Sequence, residues 1–172
     1  MADISDRIVA EYAIRQLHAR YADSVWRQDW ETFGDCFQQD CEWKIGGVTL
    51  NGRTEIVDYM RELFATKFRK LFITLRTPLL DVKTGTASGR TYMSAQNVMA
   101  DGTTFCPFGV YYEHFVDEGD SWRFSWRLFQ TLYAGPADLS GSFFDQLEFG
   151  PSPGMPPRDV VTLDVTGLQR KG

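Results

Sequence analysis

Histidine is scarce in this chain. Only His18 and His114 occur among 172 residues, neither in an H-x-H or H-E-x-x-H spacing, so no histidine-built metal centre is expected. Cysteine is nearly as rare: Cys36, Cys41 and Cys106 are odd in number and form no C-x-x-C pair. That argues against a disulfide framework or a zinc site and makes a reducing cytoplasm the expected compartment. No apolar run approaches the roughly 18 residues of a membrane-crossing helix. The acid-bearing N-terminus, MADISDRIVAEYAIR, lacks the apolar stretch of an export signal. Basic charge is also short, with 18 lysines and arginines against 23 acids and a net charge of -5. Because the basic residues are scattered, neither nucleic acid nor an anionic membrane surface is an expected partner. The chain also has no P-loop, no G-x-S-x-G elbow and no G-x-G-x-x-G fingerprint. Small molecules or proteins remain as partners.

Aromatic residues are plentiful, with 13 Phe, 7 Tyr and 5 Trp, enough both to fill a core and to line a pocket for a flat ligand. Ile14, Leu17, Tyr21 and Val25 recur at helical spacing and predict an amphipathic helix over about 5–27. His18 falls off that stripe and is expected in solvent. Trp30, Phe33 and Phe37 predict a second short helix, CEWKIGGVTL a hairpin turning at Gly46 and Gly47, and Thr54 the cap of a third helix. After Phe68 the period falls to two, giving four strands over 70–82, 87–99, 103–117 and 121–133, joined at KTGT, ADGT and DEGD. Helices followed by an antiparallel meander read as an α+β domain with a curved sheet wrapped around the helices. One domain over 1–135 is expected. The Pro- and Gly-rich tail over 136–172 would pack on the cavity mouth or a neighbouring subunit through Phe143, Phe144, Leu147 and Phe149.

The series AIRQLHARYADSVWRQDWETFGDCFQQDCEW, NGRTEIVDYMRELF and GDSWRFSWRLFQTLYAGPADLSG resembles the SnoaL-like branch of the nuclear transport factor 2-like superfamily. The resemblance implies a cone-shaped α+β barrel with a deep apolar cavity, assembled as a dimer or trimer and working without cofactor. Relatives include scytalone dehydratase, hexachlorocyclohexane dehydrochlorinase, ketosteroid isomerases, polyketide cyclases and lyases of lignin-derived diarylpropanes. Others are transport factors or small subunits of ring-hydroxylating dioxygenases, so fold alone does not give function. In the dehydratase and the dehydrochlorinase an Asp–His dyad abstracts a proton; its positions fall on Trp26 and Phe72 here, and a further cavity histidine falls on Asn97. The familiar dyad is absent.

Strand alternation together with the resemblance predicts an inner face made of Phe72, Thr74 and Arg76, then Thr91, Met93, Ala95 and Asn97, then Gly109, Tyr111 and Glu113, then Ser125, Arg127 and Phe129. Tyr21 and Trp26 would face them from the first helix. The candidate catalytic residues are Tyr111, Arg127, Arg76, Asn97, His114 and Asp23. Those for substrate contact are Tyr21, Trp26, Phe72, Thr74, Met93 and Phe129. A buried arginine either holds charge developing on a substrate oxygen or pairs with a carboxylate such as Glu113 or Asp81. His114 belongs on the convex face, in a subunit interface, or, after a one-residue slip, in the cavity as a general base. Asp23 is either a structural acid bonded to Arg27 or a displaced catalytic carboxylate.

Two functions compete. One is a cofactor-free lyase that removes water or formaldehyde from a hydrophobic aromatic molecule, with a polyketide-type dehydratase, isomerase or cyclase differing mainly in substrate. The other is a non-catalytic binding protein or the small subunit of a dioxygenase.

Overall fold

The computed structural model describes residues 3–163. Helix α1 spans Ile4–Arg27, started by Asp3, whose carboxylate accepts from the Ile4 N–H, and stopped by Gln28 in the left-handed region at φ 55°. Its buried stripe takes in the expected Ile14, Leu17, Tyr21 and Val25, and also His18. Helix α2 (Trp30–Asp35) is capped by Asp29, which accepts from Thr32. Phe37, expected in this helix, opens strand β1 (Phe37–Ile45), which turns at Gly46 and Gly47 into β2 (Val48–Asn51). Helix α3 (Arg53–Thr66) begins at Gly52 with no side-chain cap, so the capping role expected of Thr54 is not realised.

Two of the expected long strands are each split by a proline, which supplies no N–H to the ladder. Pro78 separates β3 (Phe68–Leu75) from β4 (Leu79–Lys83), and Pro107 separates β6 (Thr104–Phe105) from β7 (Phe108–Asp117). Strands β5 (Thr86–Met99) and β8 (Trp122–Ala134) run whole, and a short β9 (Ser142–Phe143) pairs with β8. The main path of the sheet is β2-β1-β8-β7-β5-β3. It is antiparallel except that β1 runs parallel to β8. The sheet is therefore mixed where a purely antiparallel one was expected. It curls around α1 and α3 as a half-barrel, and the main core, with Ile14, Phe33, Phe37 and Phe124 fully buried, fills the space between.

The opposite face of the sheet is apolar along β7 and β8, where Val110, Tyr112, Trp126 and Leu128 form a second cluster. This face was expected in a subunit interface, but the chain's own tail covers it. Phe149, Met155 and Val160 pack on it. The tail is tied down by bonds from Ser88 to the Ser152 carbonyl at 3.0 Å, from the Gly47 N–H to Thr162 at 3.0 Å, and from Arg90 and Lys44 to tail carbonyls. No described tail residue lines the interior cavity. Among the described residues no helix is long and apolar enough to cross a membrane.

Candidate functional site

A cavity of about 70 Å³ lies between the concave face of the sheet and the helices. Tyr21 enters it from α1, Met60 and Leu63 from α3, and Trp43 from β1. The long strands add Leu71, Ile73, Met93, Asn97, Tyr111 and Phe129, while half-buried Ile45 and Phe105 mark the open end. Gly109 sets the position of one wall. A Cβ there would fall 2.3 Å from the Gln130 carbonyl oxygen and 2.6 Å from the Phe129 ring. Gly109→Ala is accordingly expected to cost about 1–3 kcal/mol and to push Phe129 into the cavity. Denaturant melts and ligand titration would both register the change.

Of the expected inner residues, Tyr21, Met93, Ala95, Asn97, Tyr111 and Phe129 line this cavity. Arg127 lies inside the barrel but beneath the cavity, closed off by aromatic rings: its guanidinium carbon is 3.9 Å from the Tyr111 ring centre, 4.2 Å from Phe124 and 4.4 Å from Tyr21. Its Nε donates to Glu113 Oε1 at 3.0 Å, and Nη2 lies 2.8 Å from the same oxygen without hydrogen-bonding alignment. The pairing with Glu113 foreseen for a structural arginine is thus the one found. The other Glu113 oxygen accepts from Thr91 at 2.7 Å and from His18 Nε2 at 2.9 Å. Both Glu113 and Arg127 have no exposure at all.

Burial alone would push the Glu113 carboxyl up, but the charges of His18 and Arg127 and the hydrogen bonds from His18 and Thr91 outweigh it and hold the group below the ordinary glutamate value of 4.5. The folded state therefore takes up this proton less readily than the unfolded chain. Its stabilising effect is complete above the ordinary value and lost as pH falls through the folded one. Urea midpoints should drop more steeply on acidification in the native protein than in Glu113→Gln, and parallel curves would refute that assignment.

The Tyr21 and Tyr111 hydroxyls are 3.4 Å apart at the cavity wall. Burial pushes the Tyr111 phenol well above its ordinary value, Tyr21 adds to this, and Arg127 only partly opposes it. Tyr111 is a proton-bearing donor at neutral pH and not a base. Burial likewise pushes the Cys36 and Cys41 thiols up to about 11 and about 12, which leaves them without nucleophilic thiolate.

The remaining candidates lie elsewhere. On β3 the faces are the reverse of the expectation: Leu71 and Ile73 point inward, whereas Phe72, Thr74 and Arg76 are exposed. A register shift between Phe68 and Lys70 opposite β5 accompanies the reversal. Trp26 and Phe72, the dyad positions, meet edge to face at 5.5 Å with about half of each exposed, so neither is a cavity wall. Arg76 lines a surface cleft with Arg15 and His18. Asp23 is exposed and pairs with Arg27 at 3.8 Å, which is the structural alternative. His114 sits half-buried on the outer face against Trp126, and Ser125 shares that outer cleft because the β7–β8 register shifts between His114 and Phe115. Among the described residues no group of three or more His, Cys, Asp or Glu is placed to hold a metal ion.

His18 and Trp43 were missed as interior polar residues. His18 directly follows Leu17 and lies four residues from Ile14 and three from Tyr21, the position that widens a helical stripe. Trp43 alternates with Cys41 and Ile45.

A curled sheet over two long helices, with the cavity at its concave face, agrees with the family model that the sequence matches: residues 6–127 match the SnoaL-like domain. The chain belongs to the SnoaL-like family. Its fold is that of the nuclear transport factor 2-like superfamily. Among solved structures, this SnoaL-like protein is similar to a hexachlorocyclohexane dehydrochlorinase, LinA type 2, at 18% identity and a TM-score of 0.73, covering 84% of this chain and 98% of that one. It is also similar to a candidate scytalone dehydratase of Novosphingobium aromaticivorans, at 19% identity and a TM-score of 0.70, covering 80% and 93%. The beta subunit of a candidate aromatic-ring-hydroxylating dioxygenase from the same organism gives 16% identity and a TM-score of 0.64, covering 80% and 99%. At these identities the likeness concerns the fold. No curated protein matches the SnoaL-like chain.

Proposed function

We propose that the cavity binds a small, largely apolar aromatic molecule and that the protein acts on it as a cofactor-independent lyase, removing water or formaldehyde. The observation that carries this reading is the Tyr21–Tyr111 hydroxyl pair on the cavity wall with the Arg127 guanidinium against both rings. A cation on the ring face strengthens the phenol as a donor, and a phenol backed by a second hydroxyl in a water-poor site suits an oxygen that gains negative charge. The cavity lining contains neither carboxylate nor imidazole, so the electron push falls to the substrate. In the dehydration of a hydroxybenzyl alcohol, the benzylic C–O bond breaks and the leaving oxygen takes a tyrosine proton. The substrate's phenolic proton is released in turn and restores the tyrosine through solvent. The products are a quinone methide and water.

The absence of a base from the cavity lining favours one other reading, a non-catalytic binding protein or a dioxygenase subunit, which has no need of a base. The deciding experiment incubates the purified protein with single-ring phenolic alcohols and follows the products by mass spectrometry. Loss of water or formaldehyde supports the lyase. Unchanged ligands that raise the melting temperature support the binding protein.

A further inference from the structure

Six buried side-chain atoms among the described residues lack a hydrogen-bond partner, and two of them belong to residues that line the cavity: the indole N–H of Trp43 and the carboxamide oxygen of Asn97. Trp43 is 1% exposed and Asn97 3%. A polar atom buried without a partner forfeits its hydrogen bond to water and gains nothing in exchange, so native structures seldom leave one unless something external completes it. Here a donor and an acceptor are left open in the same space.

Their placement is informative. Trp43 stands on β1 and Asn97 on β5, with β8 and β7 between them in the sheet order. At an inter-strand spacing of roughly 4.8 Å, three steps around a curled sheet put the two residues on opposite walls. The Trp43 ring is 6.3 Å from that of Tyr111 and 6.5 Å from that of Tyr21. One end of the cavity thus offers two donors, the indole N–H and the one O–H that the tyrosine pair does not spend on itself, and the other end offers an acceptor. None of the lining side chains is ionised, so a charged ligand would meet no counter-charge.

Resting on the reading of this cavity as the binding site, we infer that its ligand is a neutral single-ring molecule with polar groups at opposite ends: an oxygen that accepts from Trp43 and the tyrosine pair, and a hydroxyl that donates to Asn97. A 4-hydroxybenzyl alcohol has this form. Its alcohol oxygen accepts from the indole N–H and from the free O–H of the tyrosine pair, and its phenol, the source of the electron push, is held by the Asn97 carboxamide. The space limits the ligand as well. A cavity of about 70 Å³ is about half the roughly 150 Å³ of an engineered cavity that admits benzene. One ring enters only as the walls yield, and the unbranched side chains of Met60 and Met93 are suited to that. Two fused or linked rings do not fit inside.

The test is calorimetric titration of the whole protein with 4-hydroxybenzyl alcohol, 4-methylphenol and benzyl alcohol, the last two each keeping one polar end. 4-Hydroxybenzyl alcohol should bind tightest, by about three- to tenfold over either of the others. Asn97→Leu should weaken 4-hydroxybenzyl alcohol and 4-methylphenol by a similar factor and leave benzyl alcohol unchanged. Trp43→Phe should weaken 4-hydroxybenzyl alcohol and benzyl alcohol and spare 4-methylphenol. Equal affinities across the three probes in the native protein, or no binding of any, would overturn the inference, and this comparison stands even if a variant does not fold. Heat that continues after mixing reports turnover separately. The affinity pattern without turnover removes the lyase and keeps the ligand assignment, whereas turnover without the pattern does the reverse.

Discussion

Replacing Glu113 with leucine is expected to destabilise the fold by about 3–5 kcal/mol, the cost of stranding a fully buried charge. Among the described residues Glu113 is the one ionic partner of the Arg127 guanidinium, and it accepts from Arg127, Thr91 and His18 at once. Without it, Arg127 keeps only ring faces around it, and its Nη1 already has no hydrogen bond. Aromatic faces attract a cation, by about 2 kcal/mol or more for a desolvated contact, but they bring no counter-charge and no acceptor for the N–H groups that Glu113 now serves. The arginine does not escape by losing its proton: burial favours the neutral form, yet Tyr21, Glu113 and Tyr111 raise its affinity for the proton above the ordinary value. The double replacement Glu113→Leu with Arg127→Met should recover most of the loss, because it removes both charges together. Urea melts of the two single variants and the double variant close the cycle. A single replacement costing under about 1 kcal/mol would mean that water reaches the guanidinium.

That buried pair also shows how far the sequence could be read. On β5 and β7 alternation grouped the residues of each face and the family resemblance chose the concave one, which held because each strand is long, regular and paired on both sides. They correctly placed Met93, Asn97, Tyr111 and Glu113 inside. Along β3 and just past its end, six consecutive residues, Leu71 to Arg76, alternate between chains that suit either face, so the pattern held the period but not the phase. The shift beside Phe68 then fixed the phase the other way. Ser125 failed for the same reason at the β7–β8 bulge. Helix α1 was legible in extent but not in breadth. The curled sheet reaches far enough around it to bury His18, and no periodicity in the helix could show that curvature. The tail posed a different problem: its apolar residues signalled packing, but only the location of the second cluster on β7 and β8 determines which surface they cover.

The second large effect concerns catalysis, and it is expected of Tyr111→Phe. If the hydroxyl pair assists departure of the leaving oxygen, removing one donor should lower kcat about 10²–10³-fold, as loss of a single oxyanion donor does. KM should rise by no more than the roughly three- to tenfold of one lost ground-state hydrogen bond, since the ring and its contact with Phe129 at 4.9 Å remain. Stability should be almost unchanged as well, because the hydroxyl's partner among the described residues is Tyr21 at 3.4 Å, a long hydrogen bond. The pH profile separates the donor role from a base role. A phenol held well above its ordinary value by burial keeps its proton throughout the neutral range, so kcat should be flat between about pH 6 and about pH 9. A base would instead produce a limb that rises with pH and disappears in the phenylalanine variant. Such a limb would move the reaction to proton abstraction by Tyr111 and require Arg127 to act as its counter-charge. A flat profile with the loss in kcat keeps Tyr111 as a donor, and the substrate's own phenol then has to supply the electrons that the absent Asp–His dyad would otherwise help release.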